Sequence, residues 1–85
     1  MQPRKWPEGF LFIKTELELG STFAKAALDS KKHARIVRNT ANARAAYDSA
    51  SKYVVELSLS SENSSLLDDL FKRLRLQLVR LGESV

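Results

Sequence analysis

The chain has 85 residues and no cysteine, with 44% hydrophobic and 28% charged side chains and a formal net charge of +4. That length holds a single domain. The missing cysteine excludes disulfides, a thiolate nucleophile and sulfur-ligated zinc or iron, and leads us to expect a cytoplasmic setting.

Both prolines, Pro3 and Pro7, fall in an N-terminal tail over residues 1–7 that also carries Arg4, Lys5 and Trp6. The longest uninterrupted apolar run is Phe10–Ile13, far short of the ~20 residues that cross a membrane. Glu16 and Glu18 interrupt it too early for a signal peptide, so no membrane association is expected. β-branched residues are sparse and strict alternation is absent, which argues against strands.

A first helix is predicted over about 8–30, with Pro7 just before its first turn. Phe10, Ile13, Leu17, Gly20, Ala24 and Ala27 recur at spacings of three and four and make one stripe. Phe12, Leu19 and Phe23 widen it. Gly20 costs about 1 kcal/mol in a helix relative to alanine, and a closely packed neighbour is the expected compensation. A polar break, Asp29-Ser30-Lys31-Lys32, follows without glycine or proline, which leaves the turn open between Asp29 and Thr40.

A second helix is predicted over about 33–57. Its stripe is Ile36, Ala43, Tyr47, Ala50, Val54 and Leu57, with Ala46 and Tyr53 alongside. Arg44, Asp48, Lys52 and Glu56 alternate in sign at spacing four, the pattern of a solvated helix face. Asn39 and Asn42 are poor helix formers. They read either as caps of a helix start near residue 39 or as exposed donors beside Arg38, and the capping reading is preferred.

Serines crowd the stretch near residue 60, where Ser60 is a candidate N-cap, Glu62 and Asn63 follow, and Leu59 precedes as a staple. A third helix is predicted over about 61–81 on Leu67, Phe71, Leu74, Leu78 and Leu81, broadened by Leu66 and Leu70, with Gly82 at the C′ position. Short connections between long helices favour antiparallel neighbours. The expected fold is therefore all-α, an antiparallel up-down-up three-helix bundle over residues 8–82 with a C-terminal tail at 83–85.

Leu19-Gly20 followed by Phe23, then Ala43, Tyr47 and Ala50, resembles the tetratricopeptide repeat pattern, in which a glycine and an aromatic meet an alanine–aromatic–alanine ladder on the next helix. The gap of 23 residues from Gly20 to Ala43 is longer than in that repeat, and no proline follows the second helix. Two long helices plus a third are also similar to the microtubule-interacting and transport domain. That resemblance implies peptide docking in a groove between helices. The stretch Arg38–Asp48 looks like one from small uncharacterised bacterial helical proteins, which implies no activity.

No cofactor or metal site is expected. His33 is the sole histidine and lies in a basic run with no second histidine to complete a metal site. Asp68 and Asp69 are adjacent, so on a helix they diverge by about 100°; Glu16 and Glu18 also diverge. The serines lack a nucleophile-elbow context and the glycines are isolated, so no phosphate loop exists. We therefore expect no enzyme.

Charge is uneven along the chain. Residues 1–30 and 61–85 are each neutral, and the middle third supplies the whole +4. Lys31, Lys32, Arg35, Arg38 and Arg44 form a run without an acid, with Asn42 among them. Lys31, Arg35, Arg38 and Asn42 are expected along one helix face, either as phosphate contacts or as a solvated surface. Leu76 and Val79 lie off the third helix's seam. They are either wrapped by the long helices or exposed for a partner helix or self-association. The leading expectation is a non-enzymatic module that binds protein or peptide, as a homodimer in one version. The alternative is nucleic-acid or anionic-ligand binding through Lys31 to Arg44.

Overall fold

The computed structural model describes residues 8–57 and 61–85. In it α1 spans Glu8–Asp29, α2 His33–Val54 and α3 Ser61–Arg80. The readings placed on the tail at 1–7 and on residues 58–60, including the Ser60 cap and the Leu59 staple, lie outside the described residues.

The α1 seam is the axis of the core. Phe10, Ile13, Leu17, Ala24 and Ala27 are all buried. Ala43, Ala46 and Ala50 face them from α2, and Leu67, Leu74 and Leu78 from α3. Small residues on both sides let α1 and α2 approach closely, while the leucines of α3 fill the remaining groove. A Cβ added to Gly20 would stand 2.8 Å from Leu74 Cδ2 and 3.0 Å from Ala46 Cβ. The glycine is what permits this three-way contact.

Pairings along the helices fix the topology. Phe12 meets Tyr53 edge-on at 5.5 Å, and Gly20 meets Ala46, so α1 and α2 are antiparallel. Tyr47 meets Phe71 edge-on at 5.8 Å, while Arg44 bonds Glu83, so α2 and α3 are antiparallel too. Ser21 Oγ donates to Gln77 Oε1 at 2.7 Å, a polar bridge that sets α3 on α1. The result is the up-down-up bundle, a rod measuring 50 × 21 × 18 Å.

The boundaries depart from the sequence reading at several places. The first turn occupies Ser30–Lys32, where the Ser30 hydroxyl accepts the Lys32 N–H at 3.1 Å. Asn39 and Asn42 both lie inside α2, so the capping reading fails; continuous pairing with α1 outweighs their weak propensity. α2 stops at Val54 rather than residue 57 because the chain tightens into i→i+3 bonds, Glu56 N–H to Tyr53 O and Leu57 N–H to Val54 O. α1 and α3 each end one residue earlier than expected. Phe12, Leu19, Tyr53 and Leu66 stand exposed, outside the seams to which they were assigned, and Ile36 is half-buried.

The end of α3 follows the expected cap. Gly82 has φ +92°; its N–H bonds Val79 O, and the Glu83 N–H bonds Leu78 O. These are the two bonds of a Schellman motif. The motif turns the chain back onto the bundle, so residues 83–85 are no free tail. Glu83 bonds Arg44, and Val85 packs against the core.

Candidate interaction surfaces

The structure divides the basic segment. Lys31 and Lys32 lie in the turn rather than on a helix face. Arg35, Arg38 and Asn42 are exposed together on α2. Arg44 is two residues beyond Asn42 and therefore about 160° away around the helix. Its Nε donates to Asp48 at 3.1 Å and its Nη1 to Glu83 at 3.1 Å. The Asp48 hydrogen bond is the main cause of its raised pKa, with Glu83 adding to it against partial desolvation. Arg44 is thus a strut between α2 and the C-terminal tail, separate from the other cations.

Beside that strut lies a cleft of about 670 Å³. Its floor is the N-terminal half of α2, with Ile36, Val37, Thr40, Ala41 and Ala45; Leu81 and Glu83 close one wall, and His33 and Asp48 mark its rim. The cleft exists because α3 ends at Arg80 and Glu83 turns back onto Arg44, while the hairpin of α1 and α2 runs on. Val37 is 53% exposed. The Thr40 hydroxyl oxygen is enclosed and finds no hydrogen-bond partner among the described residues.

The α2 start is electrostatically unusual. Lys32 occupies the N-cap position with an extended backbone (φ −97°, ψ 118°), makes no side-chain cap bond, and no acid stands in the first turn. The positive end of the helix therefore faces Lys31, Lys32 and Arg35, an arrangement that favours an anion nearby.

Folding also gathers charge that the sequence leaves scattered. A plane that passes between Glu18 and Leu19, between Tyr47 and Asp48 and between Phe71 and Lys72 divides the rod. Toward the first turn lie ten cationic side chains (Lys25, Lys31, Lys32, Arg35, Arg38, Arg44, Lys72, Arg73, Arg75 and Arg80) and two carboxylates, Asp29 and Glu83. On the opposite side the described side chains are seven carboxylates, Glu16, Glu18, Asp48, Glu56, Glu62, Asp68 and Asp69, with Lys14 and Lys52. The neutral 61–85 segment hides this because its acids open α3 and its bases end it. Lys25 pairs with Asp29, and Arg44 with Asp48 and Glu83. Among the described residues, the other eight cations of that end have no carboxylate partner.

Leu76 and Val79 are 61% and 53% exposed, so the long helices do not wrap them. They stand on the outer face of α3 among Lys72, Arg75 and Arg80. Asp68, Asp69 and Glu18 are likewise exposed. Among the described residues no polar or charged side chain is buried, and no three side chains group as metal ligands. No helix among them is long and apolar enough to cross a membrane. Comparison with protein families, curated proteins and solved structures finds no match for the chain.

Proposed function

We propose that the chain is a non-enzymatic helical interaction module of a bacterial cytoplasm, docking a protein or peptide segment in the cleft beside the N-terminal half of α2. The observation behind this reading is the early end of α3, which leaves Val37, Ala41 and Ala45 facing solvent where a third helix would otherwise lie. The surrounding cations select the partner: a short amphipathic helix with an apolar stripe and flanking carboxylates. The packing of Gly20 on Ala46 suits the tetratricopeptide-like resemblance, and the groove between helices implied by the microtubule-interacting and transport resemblance agrees with this docking mode. Leu76 and Val79 offer a second apolar contact on α3. Titrating an acidic amphipathic peptide into the isotope-labelled protein should shift the amides of Val37, Ala41, Ala45 and Leu81. Val37→Asp should abolish the shifts; unaltered affinity in that variant would contradict the reading.

A second reading, binding of nucleic acid or another polyanion, is supported by the cationic end and the uncapped α2 start. With Arg44 engaged by Asp48 and Glu83, the cations of the segment without a carboxylate partner among the described residues are Lys31, Lys32, Arg35 and Arg38. Four phosphate contacts on duplex DNA give a log–log salt slope of about −3.6. Labelled DNA and RNA that fail to bind at about 50 mM salt would remove this reading.

A further inference from the structure

Leu81 and Glu83 wall the cleft on the α3 side. The turn at Gly82 carries the backbone past the end of α3 and brings Glu83 to α2. There its Oε1 accepts from Arg44 Nη1 at 3.1 Å. Arg44 Nε donates separately to Asp48 Oδ1 at 3.1 Å, one turn further along α2. Asp48 therefore orients the guanidinium from within its own helix, and Glu83 reaches it from outside. All three side chains line the cleft. Of the two carboxylates, Glu83 is the replaceable one. Its side chain and that of Arg44 are 32% and 35% exposed, and an ion pair so open to water holds weakly. The Glu83 N–H bonds Leu78 O, and among the described residues no backbone hydrogen bond anchors Ser84 or Val85. Nor is the turn wedged in place, since a Cβ built on Gly82 meets no heavy atom within 4 Å.

Charge in the lining is unbalanced. His33 aside, Arg44 stands against both Asp48 and Glu83, so the closed cleft repels the acidic segment that the cations around it attract. Polar capacity is also unused there: the enclosed Thr40 hydroxyl, one turn before Arg44, has no hydrogen-bond partner among the described residues. With Glu83 withdrawn, Arg44 keeps its Asp48 bond and presents a guanidinium N–H to the cleft. We infer that Glu83 is a built-in competitor for the docking site: it holds the guanidinium that a partner's carboxylate takes on binding, and residues 83–85 swing aside about Gly82 to admit it. The inference rests on the proposed docking cleft and names its regulation. A partner docks by bringing a carboxylate that reaches Arg44; a segment without one gains nothing from the displacement of Glu83.

Calorimetric titration of the full chain tests it with two synthetic amphipathic helices, one with glutamates flanking a leucine stripe and one with glutamines in their place. Glu83→Gln should bind the glutamate peptide up to about fivefold more tightly than the wild type does, the range of an exposed ion pair. Its affinity for the glutamine peptide should be unchanged, and its helical circular dichroism retained. Saturating the wild type with the glutamate peptide should shift the side-chain carboxyl carbon of Glu83 and leave that of Asp48 in place. Equal affinity of the two proteins for the glutamate peptide, a variant that binds it more weakly, or a complex in which the Glu83 signal does not move would each overturn the inference. Amide shifts at Val37, Ala41 and Ala45 that Val37→Asp abolishes uphold the cleft whichever way Glu83 behaves. Failure of both proteins to bind either peptide removes the cleft and its competitor together.

Discussion

Single residues decide where α2 begins and how its interior behaves. Lys32 holds the N-cap position with the right backbone but the wrong side chain. A carboxylate there would accept from the first-turn N–H groups and oppose the helix dipole favourably. Lys32→Asp should therefore raise stability by about 1 kcal/mol, read as a later urea midpoint. No gain would mean that the helix starts elsewhere. Asn42 supplies a test of opposite sign. Exposed in mid-helix, it should give about 0.5 kcal/mol on replacement by alanine. Had it been a cap, Asn42→Ala would cost about 1 kcal/mol. The sequence left this choice open because asparagine suits both settings, and only the pairing of α2 with α1 resolves it.

At the scale of elements, the three seams were legible because a 3.6-residue period imprints directly on which side chains are apolar. Gly20 stood out for the same reason, and its explanation lies in contacts from two other helices. Gly20→Ala gains about 1 kcal/mol of helix propensity but sets a methyl against Leu74 and Ala46, an overpacking cost of about 1–3 kcal/mol. The net result should be a loss, seen as a lower thermal midpoint; a stabilised variant would show that α3 yields easily. The edges were less legible. Phe12, Leu19 and Tyr53 satisfy helical spacing as well as buried residues do, and only the placement of α3 decides which side of the hairpin stays open. The return of residues 83–85 to Arg44 carries no periodic signal at all, although the glycine that turns the chain was visible.

Across the whole molecule, the separation of charge toward the two ends of the rod is the property that thirds of the sequence could not reveal. α1 and α3 begin acidic, α2 begins basic, and the alternating direction of the helices adds these gradients together. The six candidate residues of the basic segment were thus found in part. Arg35, Arg38 and Asn42 share a face, Lys31 and Lys32 adjoin it, and Arg44 belongs to a different surface. Lys72, Arg73, Arg75 and Arg80 join them at the same end from a segment that is neutral as a whole. The most direct measurement is a titration of an acidic amphipathic peptide into the labelled wild type, followed by its amide spectra. Saturable shifts confined to the cleft, centred on Val37, Ala41, Ala45 and Leu81, are expected. Spectra that do not change up to high micromolar peptide, or that change on the outer face of α3 instead, would contradict the account.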